Sequence, residues 1–268
     1  VITGFSRPRP NEVEVTVRPG ATVEVTVDIT VSGSGASAQE LAKQLQPRFI
    51  DEGERLVVRS TRSKGWSWRS LSAQGRVVVS MPSGLDLTID SSSGGARVLG
   101  DLGDAVLRFD ASSGSLNLVG AARELHCDVS SGSIRVDASR PLEAFNAGAS
   151  SGSVRLAGGA RQARVDTSSG GINLEGLLGD AELEASSGGI SAQWDAIPPG
   201  ATVRAGASSG SVSLRFPTGT VLDGEVDVSS GSIRSDFPGT MTEDHLTLAG
   251  GAGAVRVEVE TSSGSVKL

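Results

Sequence analysis

Apolar residues fall on alternate positions on both sides of a recurring Ser-Ser-Gly triplet. The triplet occurs nine times, with its glycine at Gly94, Gly114, Gly132, Gly152, Gly170, Gly188, Gly210, Gly231 and Gly264. Five and three residues before these glycines stand pairs such as Phe109 and Ala111, Cys127 and Val129, Leu183 and Ala185, and Val259 and Thr261. Two and four residues after them stand Leu116 and Leu118, Ile134 and Val136, Ile172 and Leu174, and Val266 and Leu268. Alternation with period two is the mark of a half-buried strand, so each unit reads as strand, corner, strand. The triplets lie 18 to 22 residues apart until a last gap of 33. That spacing is too short for a pair of helices and suits one coil of a solenoid. One unit cannot bury its apolar stripe alone, but parallel coils stacked about 4.8 Å apart can. The pattern therefore predicts an all-β chain, a parallel β-solenoid (β-helix) of about nine or ten coils and about 45 Å in length.

Two regions are expected. Residues 1–80 form an N-terminal β region and cap, and residues 81–268 form the Ser-Ser-Gly solenoid, continuous with the first. Val13, Val15 and Val17, then Val23, Val25, Val27, Ile29 and Val31, alternate as strands around the Arg18-Pro19-Gly20 turn. Leu56 to Val58 and Val77 to Val79 add two more. One short helix is predicted over 37–46, from a capping box of Ser37 and Glu40, a face shared by Leu41 and Leu45, and a stop at Pro47. Trp66 and Trp68 share a strand face and are expected to pack over the first coil. Residues 246–253, within the long last gap, read as a degenerate coil.

Composition narrows the function classes. Glycine is 36 of 268 residues and aromatic residues are 3%, with no tyrosine. The net charge of −7 argues against nucleic acid as a partner. No apolar run is long enough for a membrane-spanning helix. One cysteine cannot form an internal disulfide, and two histidines leave little for a zinc site. The chain starts at Val1, from which the removal of an upstream signal sequence is expected.

The outward positions carry the candidate chemistry. Four residues before the glycine come Asp90, Asp110, Asp128, Asp166, Glu184, Asp227 and Glu260. Three residues after it come Arg97, Asn117, Arg135, Arg155, Asn173, Arg234 and Lys267. Stacking turns these into an acidic column and a basic or amide column. They read as a solvated face, or as a surface for divalent cations or a charged glycan. Neither an EF-hand loop nor a calcium-binding nonapeptide occurs, so no metal site and no cofactor are assigned. No catalytic residue is assigned either. His126 and Cys127 are adjacent on a strand and point to opposite faces, which prevents a thiolate–imidazole pair. The carboxylates recur in nearly every coil instead of clustering in one, unlike a glycosidase pair. His245 has no partner visible in the sequence.

The chain resembles the putative-adhesin family of bacterial β-strand-repeat proteins, a domain of unknown function built from Ser-Gly coils. The resemblance rests on the Pro19-Gly20 turn, the Met-Pro-Ser-Gly-Leu-Asp-Leu-Thr-Ile segment from Met81 to Ile89, the serial Ser-Ser-Gly-Ser-Ile/Val units, and the Gly250-Gly251-Ala252-Gly253 tract before the last unit. It implies a β-solenoid exported to the periplasm, cell envelope or cell surface. The function expected is a non-enzymatic, adhesin-like binding or scaffold role toward a glycan, wall polymer or protein. A purely structural self-assembling rod and a carbohydrate-active β-helix enzyme remain the alternatives. The strand ending at Leu268 is expected to leave its ladder unpaired, predicting either a covered edge or a homo-oligomer through the C-terminal coil.

Overall fold

The computed structural model describes residues 2–3, 12–32, 39–40, 43, 45–53, 56–59 and 72–268. Trp66 and Trp68 lie outside the described residues, as do five of the ten residues of the predicted helix over 37–46. Within the described set, the polypeptide coils into a β-solenoid with two columns of strands that meet at the Ser-Ser-Gly corners. Along one column the spatial order is Leu56–Arg59, Ile2–Thr3, Leu87–Ser91, Val106–Ser113, Glu124–Ser131, Leu142–Ser151, Ala160–Ser169, Asp180–Ser187, Thr202–Ser209, Val255–Lys267 and Leu222–Arg234. Every neighbouring pair in that column is parallel. The other column repeats the same order, beginning with Ser72–Met81, Glu12–Val17, Ala96–Asp101 and Leu116–Ala121.

Register follows the triplets. Cys127 lies between Phe109 and Ala147, and Ile134 lies between Leu116 and Val154. The inward residues therefore stack into continuous apolar columns, and Phe109, Leu118, Val136, Phe145 and Leu156 are fully buried. Burial of each such side chain contributes about 1.5–3 kcal/mol. Cys127 faces inward as expected, at 5% exposure. The backbone ladder continues through the corner. Gly114 N donates to Ser131 O, Gly132 N to Ser151 O, and Gly152 N to Ser169 O, at 2.9–3.0 Å. Gly132 has φ +149°, and a Cβ there would lie 1.8 Å from Gly114 O. Only glycine lets successive corners approach so closely.

Both ends depart from this sequential winding. At the N-terminal end, Ile2–Thr3 and Glu12–Val17 are threaded one layer inside, and the outermost layer is Leu56–Arg59 with Ser72–Met81. That outer layer is covered by two antiparallel strands, Arg48–Asp51 and Glu24–Ser32. At the C-terminal end, Val255–Lys267 is inserted between Thr202–Ser209 and Leu222–Arg234. The last strand is thus internal, which corrects the expectation of an unpaired ladder at Leu268. His245–Ala249 then runs antiparallel along residues 223–227, with Gly239–Met241 beyond it. The segment 246–253 is part of this cover and is not a degenerate coil.

An aromatic stack joins segments that follow the strands on either side of the inserted one. Trp194 Nε1 donates to Gly179 O at 2.8 Å, and its ring stacks on Phe216 at 4.8 Å between centroids. Phe216 meets Phe237 edge-on at 5.9 Å. Leu268 N donates to Arg234 O at 2.9 Å, and the Leu268 side chain is buried.

Candidate functional site

Outward-facing positions inherit the register of the core, so the acidic residues form a row across the coils. Its spatial order is Asp90, Asp110, Asp128, Gly148, Asp166, Glu184, Gly206, Glu260 and Asp227. Two glycines divide it into three runs, and strand insertion places Glu260 before Asp227. Where the run is three carboxylates long, charge repulsion is felt. The Asp110 carboxyl is pushed above its ordinary value by burial, then by the Asp90 and Asp128 charges and a hydrogen bond with Asp90, against the pull of Arg108.

The second row lies on the other side of the corner, in the order Arg97, Asn117, Arg135, Arg155, Asn173, Ser191, Ser213, Lys267 and Arg234. Two of the guanidinium groups find carboxylates on their own face. Arg135 Nε lies 3.4 Å from Asp137, and an Arg155 nitrogen lies 3.6 Å from Glu175. Both pairs are well exposed, where such contacts contribute less than about 1 kcal/mol each.

A wall of serines stands beside the acids. The first serine of each triplet comes two positions after the outward acid, so both side chains project from the same face. A shallow groove follows Asp90, Ser92, Asp110, Ser112, Asp128 and Ser130. A second follows Glu184, Ser186, Ser208, Glu260, Ser262, Asp227 and Ser229. Ala111 and Ala185 occupy the position between acid and serine, Ala207 the equivalent position after Gly206, and all three line the grooves. Sequence reasoning singled out the acids and missed the serines beside them. The parity of the two positions was the available signal. Chemically, the rows offer carboxylate acceptors next to hydroxyls that both donate and accept.

The two histidines have separate sets of partners. His245 Nδ1 lies 2.7 Å from Asp227 Oδ1, and its Nε2 lies 2.9 Å from Thr247 Oγ1. This supplies the partner that the sequence did not reveal, because the antiparallel cover places His245 opposite Asp227. The hydrogen bond to Asp227 raises the His245 pKa, burial opposes the rise, and the charges of Asp227, Glu225 and Asp244 add to it. His126 points away from Cys127 and contacts Glu124 and Asn146, each at 3.3 Å. Burial pushes the Cys127 thiol well above its ordinary value, and the Asp110 and Asp128 charges act in the same direction. A buried, protonated thiol is a packing group rather than a nucleophile. Among the described residues, no group of three or more His, Cys, Asp or Glu side chains is arranged to hold a metal ion. No helix among them is long and apolar enough to cross a membrane.

A family model described as Toastrack DUF4097 matches residues 9–268. No curated protein matches the chain. Among solved structures, the chain is similar to a putative adhesin from Bacteroides fragilis, with 11% identity, 97% of this chain and 88% of that chain covered, and a TM-score of 0.42. It is also similar to a putative cell adhesion protein from Clostridium sporogenes, with 8% identity, 96% and 87% coverage, and a TM-score of 0.21.

Proposed function

The chain belongs to the Toastrack DUF4097 family, and from that premise we propose that it is a non-enzymatic binding or scaffold module acting outside the cytoplasm. Its ligand surface is the acid–serine face, and the partner is a glycan, wall polymer or protein that presents repeated hydroxyl or ammonium donors. The observation that carries this reading is the register that sets Asp90, Asp110 and Asp128 beside Ser92, Ser112 and Ser130 in one groove. A stiff ladder repeats the same donor and acceptor set about every 4.8 Å. Contacts that are weak singly then add along a polymer through effective concentration. The arginine row on the neighbouring face serves solubility in this reading.

An array of glycans, wall polymers and extracellular proteins tests it. Binding by the wild-type protein should fall at least about tenfold, one 1.4 kcal/mol step, when Asp90, Asp110 and Asp128 are replaced together by asparagine. Replacing Arg97, Arg135 and Arg155 by serine should leave binding within about twofold of wild type. No binding across the array, or equal loss from both sets of changes, would overturn the assignment.

A further inference from the structure

The C-terminal end of the rod is covered only in part. The antiparallel strand His245–Ala249 pairs with residues 223–227, and Val228 N still donates to Asp244 O at 2.9 Å. Beyond that point, among the described residues, no strand pairs with the outer side of residues 229–234. The N-terminal end is different, since Glu24–Ser32 runs along Ser72–Met81 through its final residue but one. Among the described residues, one half-coil edge is therefore open at the C-terminal end.

What that edge would accept is written in the layers beneath it. In each internal corner the glycine N–H donates outward to a serine carbonyl of the next layer, from Gly94 to Ser113 through to Gly210 to Ser263. The residue two positions on does the same, as Ile134 to Ser153 and Ile190 to Ser211. Gly231 and Ile233 occupy these positions in the outermost layer, where no further strand of the described residues meets their outward N–H groups. The carbonyl of each corner glycine also points outward, against the glycine of the next layer. A Cβ at Gly264 would lie 2.0 Å from Gly210 O, and one at Gly231 would collide with Gly264 O. Gly231 O presents the same constraint to any newcomer.

We propose that residues 229–234 are a docking edge for an extended segment of a partner chain with the pattern Ser-Ser-Gly-Ser-aliphatic, added in parallel. The inner side of the same strand already holds such a segment, with Ser230 opposite Ser263, Gly231 opposite Gly264 and Ile233 opposite Val266. Main-chain hydrogen bonds supply the attraction. The corner admits only glycine, and the aliphatic residue two positions later would pack at the rim of the Ile233 side chain, which is 9% exposed. An intact second copy does not satisfy these requirements. Its matching edge would approach through a two-fold axis, which makes the paired strands antiparallel and puts the glycines out of register. The occupant is therefore a free strand rather than another rod. This inference is independent of the acid–serine face.

The probe is a synthetic peptide with the sequence of residues 261–268, titrated into the isotopically labelled full chain and followed by amide NMR. Saturable shifts should be confined to residues 229–234 and centred on Gly231 and Ile233. The same peptide carrying Gly264→Val should bind at least about tenfold more weakly. Absence of saturable shifts, equal binding of the valine peptide, or shifts centred on Thr202–Ser209 would overturn the proposal. The last result would mean exchange of the internal strand instead of docking at the edge.

Discussion

The middle of the rod and its two ends are built from similar strands but joined by different rules. From Leu87 to Arg215 each coil lies on the one before it in sequence, and the ladders are parallel throughout, with one register shift between Glu175 and Leu177. At each end the chain terminus is threaded one layer inside, and an internal segment supplies the outermost coil. Antiparallel strands then cover much of that coil. The contrast reflects the edge problem. A coil in the middle is paired on both sides, whereas a terminal coil presents unpaired N–H and C=O groups that invite aggregation. Threading also places the terminal strands between two neighbours, so fraying requires breaking two ladders instead of one.

Substitutions separate the two regimes, and the largest effect belongs to the middle. Ile134→Asp places an unpaired charge among fully buried neighbours and should destabilise by about 4 kcal/mol or more. Arg135→Asp, one residue away and exposed, should change stability by less than about 1 kcal/mol. Denaturant unfolding gives both values, and similar losses would mean that the inward and outward faces are misassigned.

Corner glycines carry the comparison to the ends. Gly132→Val in the middle and Gly264→Val in the final strand meet the same obstacle, a carbonyl oxygen 1.8 or 2.0 Å from the added Cβ. Each should destabilise by about 2–3 kcal/mol. Gly264 lies in the inserted strand Val255–Lys267, so a strand that frayed instead of threading would make its substitution nearly neutral. Matching losses in thermal melts support threading, and a silent Gly264→Val argues against it.

The smallest effect concerns the acidic row. Because the Asp110 pKa is raised in the folded chain, the native state holds that proton more tightly than the unfolded state does. Stability from this group is greatest below the ordinary value of 3.8 and declines as pH rises through the raised value. At neutral pH the repulsion is present in full. Asp110→Asn should therefore stabilise by about 0.5 kcal/mol at pH 7, with the gain vanishing on acidification. A destabilised variant at pH 7 would show that the row is held by interactions other than repulsion.

The central coils were legible because their signals are local. The alternation around each triplet fixed which way Cys127 and Ile134 face, and the constant offset from the glycine aligned Asp90, Asp110 and Asp128. The ends were not legible for a physical reason. Leu222–Arg234 and Val255–Lys267 carry nearly the same pattern, with Val226 matching Val259 and Ile233 matching Val266. Either would fit the seat beside Thr202–Ser209, and nothing local chooses between them. The choice depends on long-range packing, including the stack of Trp194, Phe216 and Phe237. The Asp227–His245 contact was hidden for the same reason, since it exists only once the antiparallel cover is in place.

Amide hydrogen exchange across the last two layers tests the threading most directly. Amides of Val255–Lys267 should be among the slowest in the chain, because that strand is paired on both sides. Gly231 and Ile233, on the open edge of the outermost coil, should exchange quickly. Fast exchange throughout Val255–Lys267, together with protection at Gly231 and Ile233, would contradict the account.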